Sequence, residues 1–568
     1  MKKLIAEYLA KIDSIDSFDF NKDQKQMCKE ILQNVKDEKD LQNVFQFLVK
    51  RVKTGFKFDI APTTDSKSVV VLEYDEKKSF HNILKQNENE NTLIIGENYD
   101  ALKNLLVLER ERERERAGLE YNYDVIYIDP PYNTESAKSD GNAVADDKEK
   151  VKASKFVYRD KFSRNGWLNM MNERLIMAKK LLKDDGVIFV SIDDTEQAYL
   201  KVLMDEIFRE ENFIANIPFI SNIKGRQVNT NFALTHEYVL VYKNKTFMFN
   251  DLNEDYANST MPNVYNKRKN DKLNDISGEF ISQNLLENTN SEFNIRTRSN
   301  LFFPIYIYEV NGNLELSTIK KENFVKEIWP RKNKKGEQLV WRWSKEKIEL
   351  CKNDLFIEKN GDFYNIKTKK RNFDFIFKSL IFGPTLNNKT GKDLLYDIIV
   401  SPLNKNDEFK TVKPINLLKT LMLSHPNKNA RVLDFFAGSG TTGHAVLDLN
   451  REDGGSRSFT LVTNNENNIA EDVTYERLYR INNGKGSKGE SFPWAEKNEP
   501  YYSSLNVFNL VKYNTAIDQI DDTNQKIKKK FLKSALYFGL NSRDISDENL
   551  LADLLALEPL EENKDATN

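Results

Sequence analysis

The chain alternates short apolar segments with amphipathic helical segments, and it does so in two blocks that are far apart in the sequence. The first block covers residues 91–247 and the second covers residues 401–483. Strands that alternate with helices form a parallel, doubly wound sheet. We therefore predict one α/β sheet built from both blocks. Asparagine, lysine and aromatic residues dominate the interval at residues 248–400, and we predict an inserted α+β domain there.

The two ends of the chain carry no motif that indicates chemistry. In residues 1–90, apolar residues such as Leu4, Tyr8 and Ile12 recur at helical spacing, which predicts a helical region. Glu7 interrupts the apolar run after the first lysines, so this segment is typical of an amphipathic helix and not of a signal peptide. Residues 484–568 are a candidate for contacts with a second copy of the chain or with another protein.

Composition excludes several classes of protein. No apolar run approaches the length of a membrane span. Two cysteines, Cys28 and Cys351, cannot form a disulfide framework or a zinc site, so we expect a cytoplasmic protein without a metal. The net charge of −2 excludes a wholly basic nucleic-acid coat but allows local patches. The alternating acids and arginines of Glu109–Arg116 predict a solvated helix face.

One strand of the first block ends in an unusual turn. The segment VIYIDPPYNT (Val125–Thr134) is a β-branched and aromatic run that stops at an aspartate, two prolines and a tyrosine. Two successive prolines end a strand and stiffen the turn after it. Open α/β sheets bind ligands at the carboxyl ends of their strands. The candidate site residues here are Asp129, Pro130, Pro131 and Tyr132.

One strand of the second block, in VLDFFAGSGTTG (Val432–Gly443), ends in a glycine-rich turn. Glycines let a ligand approach the backbone closely, and the free N–H groups of the following helix attract negative charge. Glu466 is predicted to end the next strand, where an acid commonly binds ribose hydroxyls. The alternative for Glu466 is a solvated loop acid. The candidate ligand-binding residues of the turn are Asp434, Phe436, Gly438, Ser439, Gly440 and Thr441.

The two motifs together are far more specific than either alone. DPPY followed by FAGSG, with TVKPINLL (Thr411–Leu418) just before the glycine turn, resembles the β group of DNA amino-methyltransferases. The segments GENYDALKNLL, LKDDGVIFVSIDD and THEYVLVYKN extend the resemblance to the modification (Mod) subunit of type III restriction-modification systems. The resemblance covers about Asn91–Arg480. One departure is VTNNENN (Val462–Asn468), which is polar where an aliphatic strand end is usual.

The resemblance implies a Rossmann-like methyltransferase fold and a specific reaction. In the implied reaction, a methyl group would pass from S-adenosylmethionine to the N6 amine of an adenine that is flipped out of double-stranded DNA. The insert then corresponds to a target-recognition domain. The resemblance also implies a homodimer and a restriction (helicase–nuclease) subunit as partner.

The resemblance assigns roles to particular residues. Asp129 and the carbonyl oxygen of Pro130 can accept both N–H bonds of the amine, which favours a pyramidal nitrogen, and Tyr132 can stack on the base. Lys413 of the KP element and Glu97 at a strand end are implied to contact the cofactor. Glu97 is otherwise a helix-capping acid. Either His236 or Tyr238 could touch the flipped base, and the alternative for His236 is a plain strand-edge histidine.

A basic segment with interleaved aromatic residues lies in the insert, at Lys320–Lys345. Basic residues mixed with tryptophans suit a surface that faces phosphates. We predict DNA contacts there, and the alternative is a solvated loop over a small hydrophobic cluster. The candidate DNA-binding residues are Lys332, Lys334, Lys335 and Arg342, together with His236.

Three other functions remain open. N4-cytosine methylation uses the same fold and amine geometry, but its motif more often begins with serine, so Asp129 favours adenine. A catalytically inactive DNA-binding specificity subunit is disfavoured because DPPY and GSG are both intact. A dinucleotide-dependent oxidoreductase leaves DPPY and the insert unexplained. No Walker A motif is present, since TGKD (Thr390–Asp393) ends in aspartate and lacks the first glycine.

Overall fold

The computed structural model of the chain describes residues 2–13, 22–49, 68–82, 91–115, 122–132, 164–225, 232–262, 272–399, 412–514, 520–540, 550 and 553–554. Thr411 of the predicted KP element lies outside these residues. The chain divides into two units, Met1–Ile60 and Ala61–Asn568, which are described separately. Within the described residues, every helix is too short or too polar to cross a membrane.

The first unit contains three helices, α1 (Lys2–Asp13), α2 (Lys22–Gln33) and α3 (Glu38–Val49). Their buried residues form one small cluster that includes Tyr8, Ile12 and Cys28. The ring of Tyr8 stacks on Phe45 with centroids 4.3 Å apart. The helical spacing read from the sequence is therefore confirmed for this unit.

The second unit begins with a strand at residues 68–74, which precedes the first α/β block. Its strands β2 and β3 are buried along their whole length, as expected for strands that are covered on both faces. The elements are β1 (Ser68–Tyr74), β2 (Asn91–Ile95), α4 (Asn98–Glu115), β3 (Tyr123–Ile128), α5 (Arg164–Leu181), β4 (Leu182–Ile192), α6 (Gln197–Phe208), β5 (Phe213–Phe219) and β6 (Glu237–Lys243).

The insert contributes two small antiparallel sheets, in the orders β10-β9-β11 and β12-β13-β8-β7. The turn between β9 and β10 is Asn311-Gly312, with φ of 52° and 80°, as the hairpin signal in EVNGN predicts. The elements are α7 (Glu254–Thr260), β7 (Leu273–Asp275), β8 (Gly278–Leu285), β9 (Ile305–Val310), β10 (Asn313–Ser317), β11 (Lys326–Ile328), α8 (Lys345–Leu350), β12 (Leu355–Asn360), β13 (Phe363–Lys370) and α9 (Asn388–Ile398).

The second α/β block is followed by further elements after residue 483. A Cβ atom at Gly443 would lie 3.0 Å from the side chains of Leu461 and Leu478, so glycine lets the helix that carries it pack closely. The elements are α10 (Ile415–Leu423), β14 (Arg431–Asp434), α11 (Thr441–Asp453), β15 (Ser458–Thr463), α12 (Glu476–Asn483), α13 (Pro493–Lys497), β16 (Leu505–Asn514) and α14 (Ile520–Tyr537).

Both blocks contribute to one nine-stranded sheet with the order β1-β16-β2-β15-β14-β3-β4-β6-β5. The strands from β16 to β4 in this order are parallel, and β1 and β6 are antiparallel to their neighbours. The predicted doubly wound sheet of two sequence blocks is confirmed. From β14 the chain continues to β15 on one side, and from β3 it continues to β4 on the opposite side. The carboxyl ends of β14 and β3 are therefore the switch point where ligands bind in such sheets.

The structure corrects the prediction at the two ends of the sequence. The region 1–90, predicted to be helical, contains β1, and the region 484–568 contains β16, which pairs with both β1 and β2. The run of β-branched residues in SVVVLEY explains why β1 is a strand. The strand β6 was predicted within a parallel pattern, and it is antiparallel to β4 and β5.

The charged run on α4 is only partly the solvated face that was predicted, because Glu109, Glu111 and Arg112 are buried. Residues 113–115 are exposed, and Arg116 lies outside the described residues. The side chain of Glu109 is 2% exposed and pairs with Arg112 at 2.9 Å and with Arg431 of β14 at 2.7 Å. Arg112 also donates to the carbonyl of Phe538, which follows α14. The partners of this run come from distant parts of the sequence, so the charge alternation alone could not reveal its burial.

Candidate active site at the carboxyl edge of the sheet

The DPPY turn and the glycine turn lie side by side. Their strands β3 and β14 are neighbours, with Val125 opposite Val432 and Ile126 opposite Leu433. Asp129 follows the last residue of β3, and Asp434 is the last residue of β14. The two motifs that were recognised separately in the sequence therefore form one edge of the sheet.

Four side chains from separate segments converge at the DPPY turn. The hydroxyl of Tyr132 donates to Asp129 Oδ1 at 2.8 Å. The ammonium of Lys413 lies 3.1 Å from the same oxygen and 2.5 Å from the Tyr132 hydroxyl. It also lies 2.6 Å from Glu237 Oε2. We call Asp129, Tyr132, Glu237 and Lys413 the acid cluster.

Burial and charge together set the protonation of the acid cluster. Burial alone would lower the pKa of Lys413, but Asp129 and Glu237 outweigh it and raise that pKa above its usual value. Burial works against the charged form of Glu237 as well, yet Lys413 holds its pKa below the usual range. Burial raises the pKa of Asp129, and Lys413 opposes this rise only in part. Burial, Asp129 and Glu237 raise the pKa of Tyr132, which keeps it a neutral phenol.

The two prolines present their carbonyl groups differently. The carbonyl of Pro131 accepts the indole N–H of Trp167, a fully buried residue of α5, at 2.7 Å. The carbonyl of Pro130 accepts no hydrogen bond from the part of the chain that the structure describes. An acceptor with a fixed direction is thus available beside Asp129.

Hydrogen bonds fix the glycine turn to the protein, and the space beside Gly438 is open. Asp434 accepts the N–H of Phe436 at 3.0 Å and the hydroxyl of Thr442. The hydroxyl of Thr474 donates to the carbonyl of Gly438 at 2.5 Å. Gly438 and Gly440 have φ of 49° and 74°, in the left-handed region. A Cβ atom at Gly438 would meet only the carbonyl oxygen of Phe436, at 3.9 Å, so it would project into open space.

The buried cation of Arg477 lies under this turn. Arg477 is completely buried and donates to the carbonyl of Ser439 at 3.2 Å and to the hydroxyl of Thr441 at 3.0 Å. Among the described residues it forms no ion pair, and burial lowers its pKa to about 9.

Phe436 is also buried, and its ring lies 5.3 Å from that of Phe435.

The two predicted acids at other strand ends have different surroundings. Glu97 accepts the N–H of Tyr99 at 2.6 Å and pairs with Arg174 at 2.5 Å, so the helix-capping interaction is present. The prediction that Glu466 ends its strand is wrong, because β15 ends at Thr463 and Glu466 is exposed on the turn after it. Asn467 and Asn468 adopt positive φ there, which a continuing strand cannot accommodate. Cofactor contacts of Glu97 and Glu466 remain predictions.

Lys413 and His236 also require comment. Lys413 was predicted to contact a cofactor, and the structure directs its ammonium to Asp129 and Glu237. His236 Nε2 lies 3.1 Å from the hydroxyl of Tyr238, which donates to Asp194 at 2.9 Å. His236 is the residue immediately before Glu237, so it borders the acid cluster in sequence. Its contact with a base remains a prediction.

Sequence reasoning missed three residues of this edge. Glu237 is a carboxylate at the first position of a buried strand, and that placement was a signal that could have been used. Asn388, at the start of α9, donates to Glu237 Oε1 at 2.9 Å. Arg477 carried no local signal, because its importance comes from burial under a distant turn.

The basic residues of the insert lie on an exposed hairpin. Lys332 pairs with Gln338 across a turn that contains Gly336, at φ 82°. Lys332, Lys334 and Lys335 are exposed and form no ion pair within the described segments. The exposed Arg342 donates to the carbonyl of Glu287 at 3.3 Å. Trp341 belongs to the buried cluster beneath, so the segment is a basic surface above a hydrophobic core. Contact with DNA remains a prediction.

One group in the described residues has the spacing of metal ligands, Asp124, Asp185 and His425. It lies at the opposite end of β3 from the acid cluster. The carboxylate of Asp124 already accepts Lys183 at 2.9 Å, Asn427 at 3.0 Å and the N–H of Arg431 at 2.7 Å. These bonds account for the group as a structural junction.

An open glycine turn next to a partly buried acid cluster, at the switch point of a doubly wound sheet, is the arrangement of a cofactor-dependent α/β enzyme. A family model described as DNA methylase matches residues 123–469. The chain belongs to the DNA methylase family, as predicted from DPPY and FAGSG. A second model, of an uncharacterised conserved protein family, matches residues 5–115.

The curated relatives include Mod subunits of type III restriction-modification enzymes and type II methyltransferases. The chain is 31% identical to the type III restriction-modification enzyme EcoPI Mod subunit of Escherichia phage P1, over 68% of this chain and 59% of the relative. It is 31% identical to the type II methyltransferase M.KpnI of Klebsiella pneumoniae, over 67% of this chain and 88% of the relative. It is 30% identical to the StyLTI Mod subunit of Salmonella typhimurium, over 73% and 59% of the two chains. The matches thus span about three fifths of these Mod subunits.

Proposed function

We propose that the chain is a site-specific DNA methyltransferase that acts on the N6 amine of adenine, as the modification subunit of a type III restriction-modification system. One observation carries the proposal. The acid cluster and the open glycine turn share the switch point of the sheet, so an acceptor for an amine stands beside a binding site for a cofactor.

The glycine turn fits S-adenosylmethionine, which supplies an electrophilic methyl group when bound. The open space in front of Gly438 admits a ligand close to the backbone. The buried charge of Arg477 and the amino end of α11 favour a negatively charged group at the turn, such as an amino-acid carboxylate. We assign cofactor contacts to Phe436, Gly438, Ser439, Gly440 and Thr441, and further ones to Glu97 and Glu466. Asp434 serves the same site by holding the turn.

The acid cluster fits the amine. Lys413 and Tyr132 both contact Asp129 Oδ1, so Oδ2 has no partner within the described residues and is free to accept one N–H. The carbonyl of Pro130 is free to accept the other. Two acceptors in fixed directions draw the amine nitrogen out of conjugation with the ring and orient its lone pair. The base must leave the duplex to reach them, which costs a few kcal/mol of unstacking.

The insert supplies the contacts to the duplex. The exposed Lys332, Lys334 and Lys335 of the hairpin can approach phosphates, as can the exposed end of Arg342, which lies after the hairpin. In this assignment they set the position of the DNA, and His236 or Tyr238 contacts the flipped base at the edge of the acid cluster.

Two alternatives lead to different products. N4-cytosine methylation would use the same acceptors, and the family name does not separate the two amines. A non-catalytic specificity subunit would not need a buried acid cluster. The test is to incubate the protein with DNA and S-adenosylmethionine and to digest the product to nucleosides. N6-methyladenine is expected. N4-methylcytosine would change the substrate, and no modified base despite bound cofactor would support the non-catalytic subunit.

We propose a homodimer that associates with a separate restriction subunit in the cytoplasm, where the DNA is. The support is the likeness to Mod subunits, and Met1–Ile60 and the C-terminal region after residue 484 are the candidate contact regions. Light scattering at micromolar concentration should give twice the mass of the chain. A monomeric mass with full activity would contradict the dimer.

A further inference from the structure

The acid cluster contains more charge than the capture of an amine requires. Asp129 and Pro130 suffice to accept two N–H bonds, yet Lys413 and Glu237 are buried next to them, with side chains 5% and 12% exposed. Burying charges costs free energy, so two additional buried ions call for an explanation beyond packing. They come from different elements, since Glu237 opens β6 and Lys413 precedes α10.

Three contacts fix the position of the Lys413 ammonium group. An ammonium has three N–H donors, and those of Lys413 point to Asp129, Tyr132 and Glu237 at 3.1, 2.5 and 2.6 Å. Glu237 is fixed in turn, because its other oxygen accepts Asn388 at 2.9 Å. This chain of contacts holds Asp129 Oδ1 in place and leaves Oδ2 as the free oxygen.

The net charge of the cluster depends on Glu237. Lys413 carries one positive charge, Asp129 and Glu237 carry one negative charge each, and Tyr132 is neutral. The sum is one negative charge. Without Glu237, Lys413 would cancel Asp129 and leave no net charge to face the reacting nitrogen.

We propose that Glu237 and Lys413 are positioning residues that fix Asp129 and keep one net negative charge beside the amine nitrogen. This inference rests on the function proposed above. During transfer the nitrogen bonds to the methyl carbon while the carbon–sulfur bond breaks and its electron pair stays on sulfur. The nitrogen becomes positively charged until it releases a proton, which Asp129 Oδ2 is placed to accept. A preorganised negative charge stabilises that developing positive charge.

Other titratable groups also face the cluster. Tyr127 lies on β3, Asp193 follows β4, and Asp434 ends β14. Burial raises the pKa of Asp193 to about 6 and that of Asp434 to about 7. These residues are the same in every variant below. Glu237 is one cause of the raised pKa of Asp193, so Glu237→Gln should lower that pKa as well, in the same direction as the pKa of Asp129.

The test compares Glu237→Gln, Lys413→Met and the double variant in single-turnover methyl transfer across a range of pH. Glu237→Gln should lower the rate about 10- to 100-fold and move the acidic limb of the profile to lower pH, because Asp129 loses a like-charged neighbour. Lys413→Met should lower the rate further and move that limb to higher pH, because two close carboxylates then share one proton. The double variant removes the carboxylate that shares this proton, so Asp129 alone carries the negative charge and the rate should exceed that of Lys413→Met.

A matched control is available on α10. Lys419 is also buried, 3% exposed, and pairs with the two carboxylates of Asp448 and Glu452. Lys419→Met should reduce thermal stability but leave the rate and pH profile of the folded protein unchanged. Calorimetry of cofactor binding confirms that each variant is folded, and Glu237→Asp, which keeps the charge, should retain more activity than Glu237→Gln.

The outcomes separate the two proposals. Wild-type turnover to N6-methyladenine supports the function, and its absence overturns both proposals. With wild-type turnover present, opposite shifts of the acidic limb and rescue in the double variant support the role of Glu237 and Lys413. Parallel shifts, no shift, or a double variant no faster than Lys413→Met would overturn that role and leave the function intact.

Discussion

Two aspartates stand at the carboxyl ends of neighbouring strands, and the protein surrounds them differently. Asp129 follows β3 and faces the ammonium of Lys413 at 3.1 Å. Asp434 ends β14 and accepts only a backbone N–H, from Phe436 at 3.0 Å, and the hydroxyl of Thr442. In the described part of the chain, Asp434 has no cationic partner.

The difference separates a reacting group from a structural one. Burial raises the pKa of both carboxyls, but Lys413 limits the rise for Asp129, whereas the pKa of Asp434 reaches about 7. The cation beside Asp129 favours the ionised form of this carboxyl, which can accept an amine N–H. A carboxyl that meets only neutral donors serves to shape the glycine turn. Three predictions test this division and a fourth tests the insert, from the largest expected effect to the smallest.

The largest effect should follow the loss of the reacting group. Asp129→Ala removes one of two acceptors for the amine and should slow methyl transfer about 1000-fold or more, because alignment of the nucleophile is lost. Affinities for S-adenosylmethionine and DNA should change less than about threefold, since the turn and the insert are untouched. Single-turnover rates and calorimetry measure both quantities.

Asp129→Ser serves as the graded control for this variant. Serine keeps a polar group at the position and occupies it in related amino-methyltransferases, so some activity should remain. A wild-type rate in Asp129→Ala would assign Asp129 to structure and remove the contrast with Asp434.

The second prediction concerns the turn that Asp434 holds. Gly438→Val places a side chain in the open space before the turn and should weaken cofactor binding about 100-fold, a loss of about 2.7 kcal/mol. The matched control is Gly454→Val at the other end of α11. Gly454 has φ 69° and open space around it, so it shares the backbone strain without the cofactor site. Equal cofactor affinity in the two variants would contradict the assignment.

The third prediction uses the pH dependence of stability. Since the folded pKa of Asp434, about 7, lies above the usual value of 3.8, its contribution to stability is complete below about pH 4 and is lost as pH rises through 7. Asp434→Asn cannot titrate. The free energy of unfolding of the wild type minus that of the variant should therefore be lower at pH 8 than at pH 5, by about 1 to 3 kcal/mol. Urea unfolding at both pH values measures it, and a constant difference would show that Asp434 is ionised throughout.

Much of the fold could be predicted because the relevant patterns are local. The two α/β blocks, the hairpin at Asn311-Gly312 and the helices of the first unit all follow from periodicity and turn residues. The edge strand β1 and its neighbour β16 were missed, although SVVVLEY carries a strand signal, because no motif drew attention to them. The burial of Glu109 could not be predicted, since its partner Arg431 is far away in sequence.

The residues of the site also fall into two groups, those that a local motif reveals and those that only packing brings together. Asp129, Tyr132 and Gly438 were predicted because each belongs to a short motif with a physical reason for its composition. Glu237 and Arg477 act through contacts that form only when distant segments pack together. Lys413 was noticed in its motif, but the motif did not reveal that its ammonium faces Asp129, because a motif does not show which strand end it will meet.

The smallest effect should come from the insert, which touches neither aspartate. Neutralising Lys332, Lys334 and Lys335 to glutamine should weaken binding to all DNA sequences alike. The slope of log affinity against log salt should fall by up to about 2.7, or about 0.9 for each lysine–phosphate pair that is removed. Cofactor affinity should not change. The control triple Lys485→Gln, Lys488→Gln and Lys497→Gln removes the same charge from positions outside the insert. If both triples changed the slope equally, net charge and not the hairpin would control DNA binding, and the insert would lose its assigned role.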